Sequence, residues 1–386
     1  MSTLFVSGAL ANKPGNGGEA WVRLSWILGL QRLGFDVHFV EQISATSCVD
    51  SNGDTVRIED STNLTYFRDV VGRFDLAACS SLLRDDGSVV FGPSVDELLA
   101  LADAAVALVN ISGHLRHAPL LQRLHPRIYV DVDPGYTQYW HADGKALGLD
   151  SHDYLVTVGA NIGTAGCPIP TGGRQWHPVR QPVVLEHWPV RPVDYADRFT
   201  TVGSWRGPYG PVTVAGRAFG LKVHEFRRFV ELPGRAVGEF RIALDIHPAD
   251  GADRVLLERH GWRLDDPRRV AATPEDFRDY VEHSSAEFSV AQGIYVDTNS
   301  GWFSDRTVRY LAAGKPAIVQ DTGLAGTLPV GEGLLAFTTM EQAEGCVRHV
   351  VESYDRQSRA ARSLAETVFD SDVVLARLLA DIGMPT

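Results

Sequence analysis

The sequence predicts an α/β protein of two doubly wound, Rossmann-like domains facing a cleft. Three observations carry this. Short apolar runs alternate with segments of helical periodicity along most of the 386 residues; the alternation fails once, in a stretch dense in proline and glycine; and it then resumes. Alternating strands and helices produce a parallel sheet covered on both faces. At roughly 150 residues per domain, the length fits two or three domains.

Residues 4–6 read as a buried first strand. After a Gly-rich loop, Trp21, Leu24, Ile27, Leu28 and Leu33 recur at helical spacing until Gly34 stops the helix. Residues 35–40 form the second strand, and 104–109, 127–132 and 154–158 follow, between helical patterns such as the one opened by a capping box of Ser94 and Glu97. Residues 1–162 thus make a first domain. Pro168, Pro170, Pro178, Pro182, Pro189 and Pro192, with Gly163, Gly166, Gly172 and Gly173, mark 163–195 as the interdomain connection. Residues 196–386 make the second domain, with strands at 199–202, 241–244, 286–290 and 317–320. A helix starts at Thr273-Pro274-Glu275-Asp276, and helices around 364–369 and 373–379 close the chain.

With 44% hydrophobic and 22% charged residues, the composition excludes disorder, collagen-like repeats and a long coiled coil. Forty-eight acidic against 36 basic side chains give a net charge of −12, a sign that repels DNA and anionic membranes, so no nucleic-acid partner is expected. A local basic pocket for a small phosphorylated ligand stays open. Cys48, Cys79, Cys167 and Cys346 are scattered, which points to neither a zinc ribbon nor a disulfide framework and fits a cytoplasmic location. No signal peptide or run of ~18 apolar residues is present, so no transmembrane segment is expected. The glycosylation sequons at Asn63 and Asn110 read as chance occurrences.

Two Gly-rich helix entries are informative. In Asn12-Lys13-Pro14-Gly15-Asn16-Gly17-Gly18-Glu19, small residues let backbone amides approach a ligand at the start of the first helix. Through Ala20 the stretch reads G-x-G-x-x-A, and Glu41 ends the second strand where an acidic residue grips a nicotinamide ribose, so an NAD-dependent dehydrogenase is one alternative. Against it, Gly15 lies about five residues too far beyond the strand. The second entry is Gly301-Trp302-Phe303-Ser304-Asp305-Arg306-Thr307, leading to Gly314 and the strand 317–320. The Ser304 and Thr307 hydroxyls, the Arg306 guanidinium and the first-turn amides suit a diphosphate, and Asp321, beyond the next strand, suits sugar hydroxyls. The plain reading is that Ser304 caps the helix and Asp305 complements its dipole.

Together these segments resemble the nucleotide-sugar-dependent glycosyltransferases of the two-domain GT-B fold, especially bacterial, family 1-like ones carrying Gly-Trp-Phe-Ser-Asp-Arg. The likeness extends over both halves. It includes Asp131-Val132-Asp133-Pro134-Gly135, Val202-Gly203-Ser204-Trp205-Arg206, Gly301 to Arg306, and Tyr310-Leu311-Ala312-Ala313-Gly314-Lys315-Pro316 running to Gly323. The resemblance implies a nucleotide-diphosphate sugar as co-substrate, with no other cofactor, held in the C-terminal domain. Its donor set is Ser204, Arg206, Ser304, Asp305, Arg306, Thr307, Asp321 and Thr322. The acceptor, a saccharide or small molecule, lies against Asn12, Gly17 and Gly18. In one departure, two glutamates eight positions apart in many retaining members correspond here to Gly301 and Arg309, so the resemblance carries no statement about configuration.

Glycosyl transfer needs charge stabilisation on the leaving diphosphate and, for inversion, a base at the acceptor hydroxyl. Asp133 and His114, each just beyond a first-domain strand, and Glu19 are the base candidates. Asp131-Val132-Asp133 spells D-x-D, and His114 and His117 lie three apart, but neither has the surroundings of a metal site, and a metal-independent reaction is expected. A sugar-nucleotide-binding protein that lost catalysis is the remaining alternative.

Overall fold

A computed structural model describes residues 2–193, 196–207, 209–214 and 216–384. The first sheet contains β1 Thr3–Ser7, β2 Asp36–Ile43, β3 Ser80–Arg84, β4 Val89–Phe91, β5 Ala105–Ile111, β6 Arg127–Asp131, β7 Tyr154–Thr157 and β8 Trp176–Pro178. Their order is β4-β3-β2-β1-β5-β6-β7-β8, parallel throughout except for the β3–β4 pair. Leu4, Phe5 and Val6 on β1 are all fully buried, as a strand covered on both faces requires. One cover is helix α1, Gly17–Arg32, whose Trp21, Leu24, Ile27 and Leu30 pack into the core.

The second domain contributes β9 Arg198–Ser204, an antiparallel hairpin of β10 Val212–Val214 and β11 Arg217–Phe219, and then β12 Glu239–Asp245, β13 Arg263–Asp265, β14 Ala286–Ser289, β15 Ala317–Gln320 and β16 Leu334–Phe337. The six-stranded sheet runs β13-β12-β9-β14-β15-β16, all parallel. Strand order reverses between β1 and β5 in one sheet and between β9 and β14 in the other. At such switch points the loops beyond the strands diverge and open a crevice.

The boundaries differ from the sequence reading at two places. β8 falls inside the expected connection 163–195 and extends the first sheet by pairing with β7; Asp194 and Tyr195 of that connection lie outside the described residues. The closing helix Ser371–Asp381 packs on α1 of the first domain. A side chain at Gly29 would come within 2.7 Å of Leu375 Cδ1, and Arg32 donates to both carboxylate oxygens of Asp372 at 2.9 Å. The chain therefore returns to its starting domain. Among the described residues, no helix is long and apolar enough to cross a membrane.

Candidate active site

The candidate donor side is built on the helix Asp305–Ala312, whose Val308, Tyr310, Leu311 and Ala312 are fully buried. Its first-turn N–H groups have no intrahelical acceptor and lie at the positive end of the helix dipole. Ser304 occupies the N-cap position, but its side chain makes no capping bond. Thr307 is 1% exposed, and its Oγ1 has no hydrogen-bond partner among the described residues. Both line a crevice with Ser289, Ala291, Trp302 and Gln320 whose volume is about 10 Å³, room for roughly one water. As it stands, the crevice is far too small for a nucleotide.

Sequence reasoning missed Lys222. It opens the helix Lys222–Arg227, beyond the hairpin, and its ammonium lies beside Gly203, where a β-carbon would stand 3.0 Å from Nζ and 4.0 Å from Arg306 Nη1. Burial and then Arg306 push its pKa down to about 7. No motif flags this lysine, because 17 residues separate it from Ser204 at the end of β9. Only the return of the chain after the hairpin places it here.

The expected donor residues divide into free and engaged groups. Arg306 points into the protein: Nε donates to Glu287 Oε1 at 2.6 Å, Nη1 to the Val202 carbonyl at 2.7 Å and Nη2 to Ser289 Oγ at 2.6 Å. Because Glu287 is completely buried, this arginine ties the helix to β9 and β14, which corrects its assignment as a phosphate fork. The Arg206 fork is held by Asp250 at 2.8 and 2.5 Å. Asp321 Oδ1 accepts from the amides of Gly323 and Leu324, both at 2.9 Å, and Thr322 Oγ1 donates to the Trp302 carbonyl at 2.6 Å, so both shape the loop. Asp305 accepts from Arg309 at 2.9 Å, and Ser204 Oγ lies 3.4 Å from Asp245 Oδ2 at the sheet edge. Ser304 and Thr307 are left with hydroxyls that no group among the described residues engages.

In the first domain Asp133 is the focal candidate. Tyr295 OH stands 3.3 Å from its Oδ1 and Tyr209 OH 3.5 Å from its Oδ2, so two phenols of the second domain meet a carboxylate of the first. Tyr295 stacks on Trp302 with centroids 4.4 Å apart, and Tyr209 packs edge-on to Trp140 at 4.7 Å. Burial foremost, then the charges of Asp131 and Glu19, raise the Asp133 pKa to about 7. Asp131 is 1% exposed and accepts from Thr137, Gln138, Thr157 and the Asp133 amide, so D-x-D presents one carboxylate to the cleft instead of two. His114 is pushed down to about 3 by burial and by Arg23 and Lys13. Glu19 is ion-paired with Arg23; against the burial that raises it, the charges of Arg23 and Lys13 hold its pKa below the usual value. A base works best with a pKa near the working pH, and of the three base candidates Asp133 alone is pushed toward neutrality.

The Gly-rich loop has a different task from the one expected. Glu41 is completely buried, and its carboxylate accepts the amides of Leu10, Ala11 and Asn12 at 2.8, 2.7 and 2.8 Å. It anchors the loop from below, which removes it as a ribose ligand. The Gly17 amide donates to the Ala271 carbonyl at 2.8 Å, and a β-carbon there would lie 1.9 Å from the Thr273 carbonyl oxygen. One at Gly18 would meet Phe277 at 3.1 Å. These two glycines let the domains touch. The sequon residues are internal: Asn63 Nδ2 donates to the Ala11 carbonyl at 2.8 Å and Asn110 Nδ2 to the Leu115 carbonyl at 3.1 Å. Among the described residues there is no cluster of three or more His, Cys, Asp or Glu able to hold a metal ion.

No family model and no curated protein matches the sequence. Solved structures do match over nearly the whole chain. An alpha-glucosyltransferase in complex with UDP-glucose and DNA containing an abasic site superposes with a TM-score of 0.59 at 12% identity, covering 98% of both chains. Anabaena HepE in complex with UDP gives 0.57 at 11% identity over 99% of each. The sucrose-phosphate synthase of Thermosynechococcus elongatus gives 0.52 at 12% identity over 99% of each. The fold is GT-B. In the GT-B frame, the helix Asp305–Ala312 belongs to the C-terminal domain and Asp133 to the N-terminal one.

Proposed function

We propose that this chain is a glycosyltransferase that moves a sugar from a nucleoside-diphosphate sugar to the hydroxyl of a saccharide or small natural product. One observation carries the reading: the open first-turn amides, the unpartnered Thr307 hydroxyl and the Lys222 ammonium gather on one wall of the cleft, and Asp133, poised near neutrality, belongs to the other. UDP or UDP-glucose in the GT-B structures it resembles supports the donor class. The NAD-dependent alternative is not favoured, because Glu41 is engaged within the loop.

In this mechanism the acceptor oxygen forms a bond to the anomeric carbon as the bond from that carbon to the diphosphate oxygen breaks. The acceptor proton passes to Asp133, and the nucleoside diphosphate leaves with the electron pair. Lys222 and the helix amides offset its growing charge without a required metal ion. One GT-B relative was solved with DNA; for this chain the net charge of −12 opposes a polyanionic acceptor.

Thermal shift tests the donor class. Uridine, thymidine or guanosine diphosphate at ~100 times its dissociation constant adds about 2.7 kcal/mol of stability, and NAD adds none. Protection by NAD alone overturns the reading.

A further inference from the structure

We propose that the acceptor carries an anionic group, a phosphate or a carboxylate, which binds between Lys13 and Arg116 over the ends of β1 and β5. The proposal rests on the reading of Asp133 as the group that receives the acceptor proton.

Lys13 lies on the loop after β1, and the only hydrogen bond it makes among the described residues is from its backbone amide to the Leu10 carbonyl at 3.1 Å. Its ammonium is close enough to alter the proton affinity of Glu19, His114 and Asp133 alike. Arg116 lies on the loop after β5; its amide donates to Gln42 Oε1 at 2.9 Å, which fixes its backbone, while its exposed guanidinium has no partner among the described residues. Between them Arg23 is 3% exposed, with its Nε–H unpaired. That guanidinium passes directly over the backbone of Gly8, where a β-carbon would lie 3.3 Å from Nε and 3.5 Å from Ile111 Cβ.

Charge decides the class of ligand. Lys13 and Arg23 face Glu19, which pairs with Arg23, while Lys13 and Arg116 both face His114 and neither forms an ion pair among the described residues. Glu41 and Asp131 do not supply a counter-charge, because each is buried and engaged by hydrogen-bond donors. A positive patch in a chain of net charge −12 is a local construction. Neutral sugar hydroxyls do not need it; an anion does. β6, which leads to Asp133, is the next strand beyond β5, and strands stand about 4.8 Å apart. The ends of β5 and β1 therefore stand one and two strand spacings, roughly 5–10 Å, from β6. The donor diphosphate has its own cation, Lys222, on the other domain.

The test is calorimetry at saturating UDP with glucose, glucose 6-phosphate, glucuronate and a short DNA duplex as probes. Glucose 6-phosphate or glucuronate should bind at least tenfold more tightly than glucose, and added salt should weaken only the anions. Lys13→Ala and Arg116→Ala should each weaken the anionic probe roughly tenfold and leave UDP and glucose affinity unchanged. Which probe prefers the site distinguishes phosphate from carboxylate. Equal affinity for glucose and both anions overturns the proposal. So does loss of UDP affinity in Lys13→Ala, which would make Lys13 a donor ligand, or DNA that displaces the anionic sugars. Because the readout is binding, it does not depend on turnover: full activity in Asp133→Asn sinks the base and leaves the anion result to be judged alone.

Discussion

Thr307→Val should change donor binding and stability in opposite directions. Threonine and valine share their β-branched shape and have nearly equal helix propensity, so the substitution deletes one hydroxyl and little else. In the protein that hydroxyl is buried, 1% exposed and unpartnered, a situation that costs about 1–3 kcal/mol. Removing it should stabilise the fold, and each 1 kcal/mol raises the melting temperature by about 2–4 °C in a domain of this size. If Oγ1 instead donates to a diphosphate oxygen when UDP is bound, the lost bond to a charged group is worth about 1.5–3 kcal/mol. That corresponds to a roughly 10- to 150-fold rise in the UDP dissociation constant. Scanning calorimetry and titration with UDP and with uridine separate the effects; uridine affinity should not change. Unchanged UDP affinity in the stabilised variant refutes the phosphate contact. A lower melting temperature shows that the hydroxyl has a partner and refutes the premise.

Asp133→Asn should keep UDP affinity and lower turnover about 10²- to 10⁴-fold, and the acid limb of kcat/KM with a midpoint near 7 should disappear; full activity excludes Asp133 as the base. The same group affects stability with a definite sign. The native carboxyl keeps its proton up to about 7 and the unfolded one releases it near 3.9, so the native state holds more protons between these values and stability falls as pH rises from about 4 to about 7. Asp133→Asn should flatten that slope in denaturant titrations at stepped pH. Arg306→Ala leaves the buried Glu287 without its cation and should cost about 3–5 kcal/mol of stability; a denaturant midpoint equal to the parent's would show that Arg306 is not the structural tie described above.

Much of the fold was legible because strands buried on both faces produce continuous apolar runs: β1, β5, β6, β9, β14 and β15 were all read from such runs. β3, in the sequence Ser80-Ser81-Leu82-Leu83-Arg84, offers only two apolar residues, and β4, β8 and β13 are three-residue edge strands too short to show a period. The positions of Ser304 and Thr307 at a helix entry and of Asp133 just beyond a strand were legible from capping chemistry and an apolar run. Arg306 was misread because a sequence shows the guanidinium but not the buried Glu287, 19 residues earlier, that holds it. The role of Glu41 was hidden for the same reason: its oxygens accept from the amides of a loop about 30 residues away.

The sequence by itself determined the two α/β domains, the helix entry at Ser304 and the carboxylate after β6, because local periodicity, capping chemistry and strand ends depend on near neighbours. Only the tertiary structure decided which charged groups remain available. A buried ion pair such as Glu287 with Arg306, or a carboxylate such as Asp131 ringed by four donors, is set by side chains that meet only when distant segments pack. The same packing brings Lys222 beside Gly203, draws Tyr209 and Tyr295 onto Asp133, and leaves Lys13 and Arg116 without an ion-pair partner among the described residues. The physical reason is that the free energy of a charge depends on everything within a few ångströms of it, and chain order does not reveal that neighbourhood.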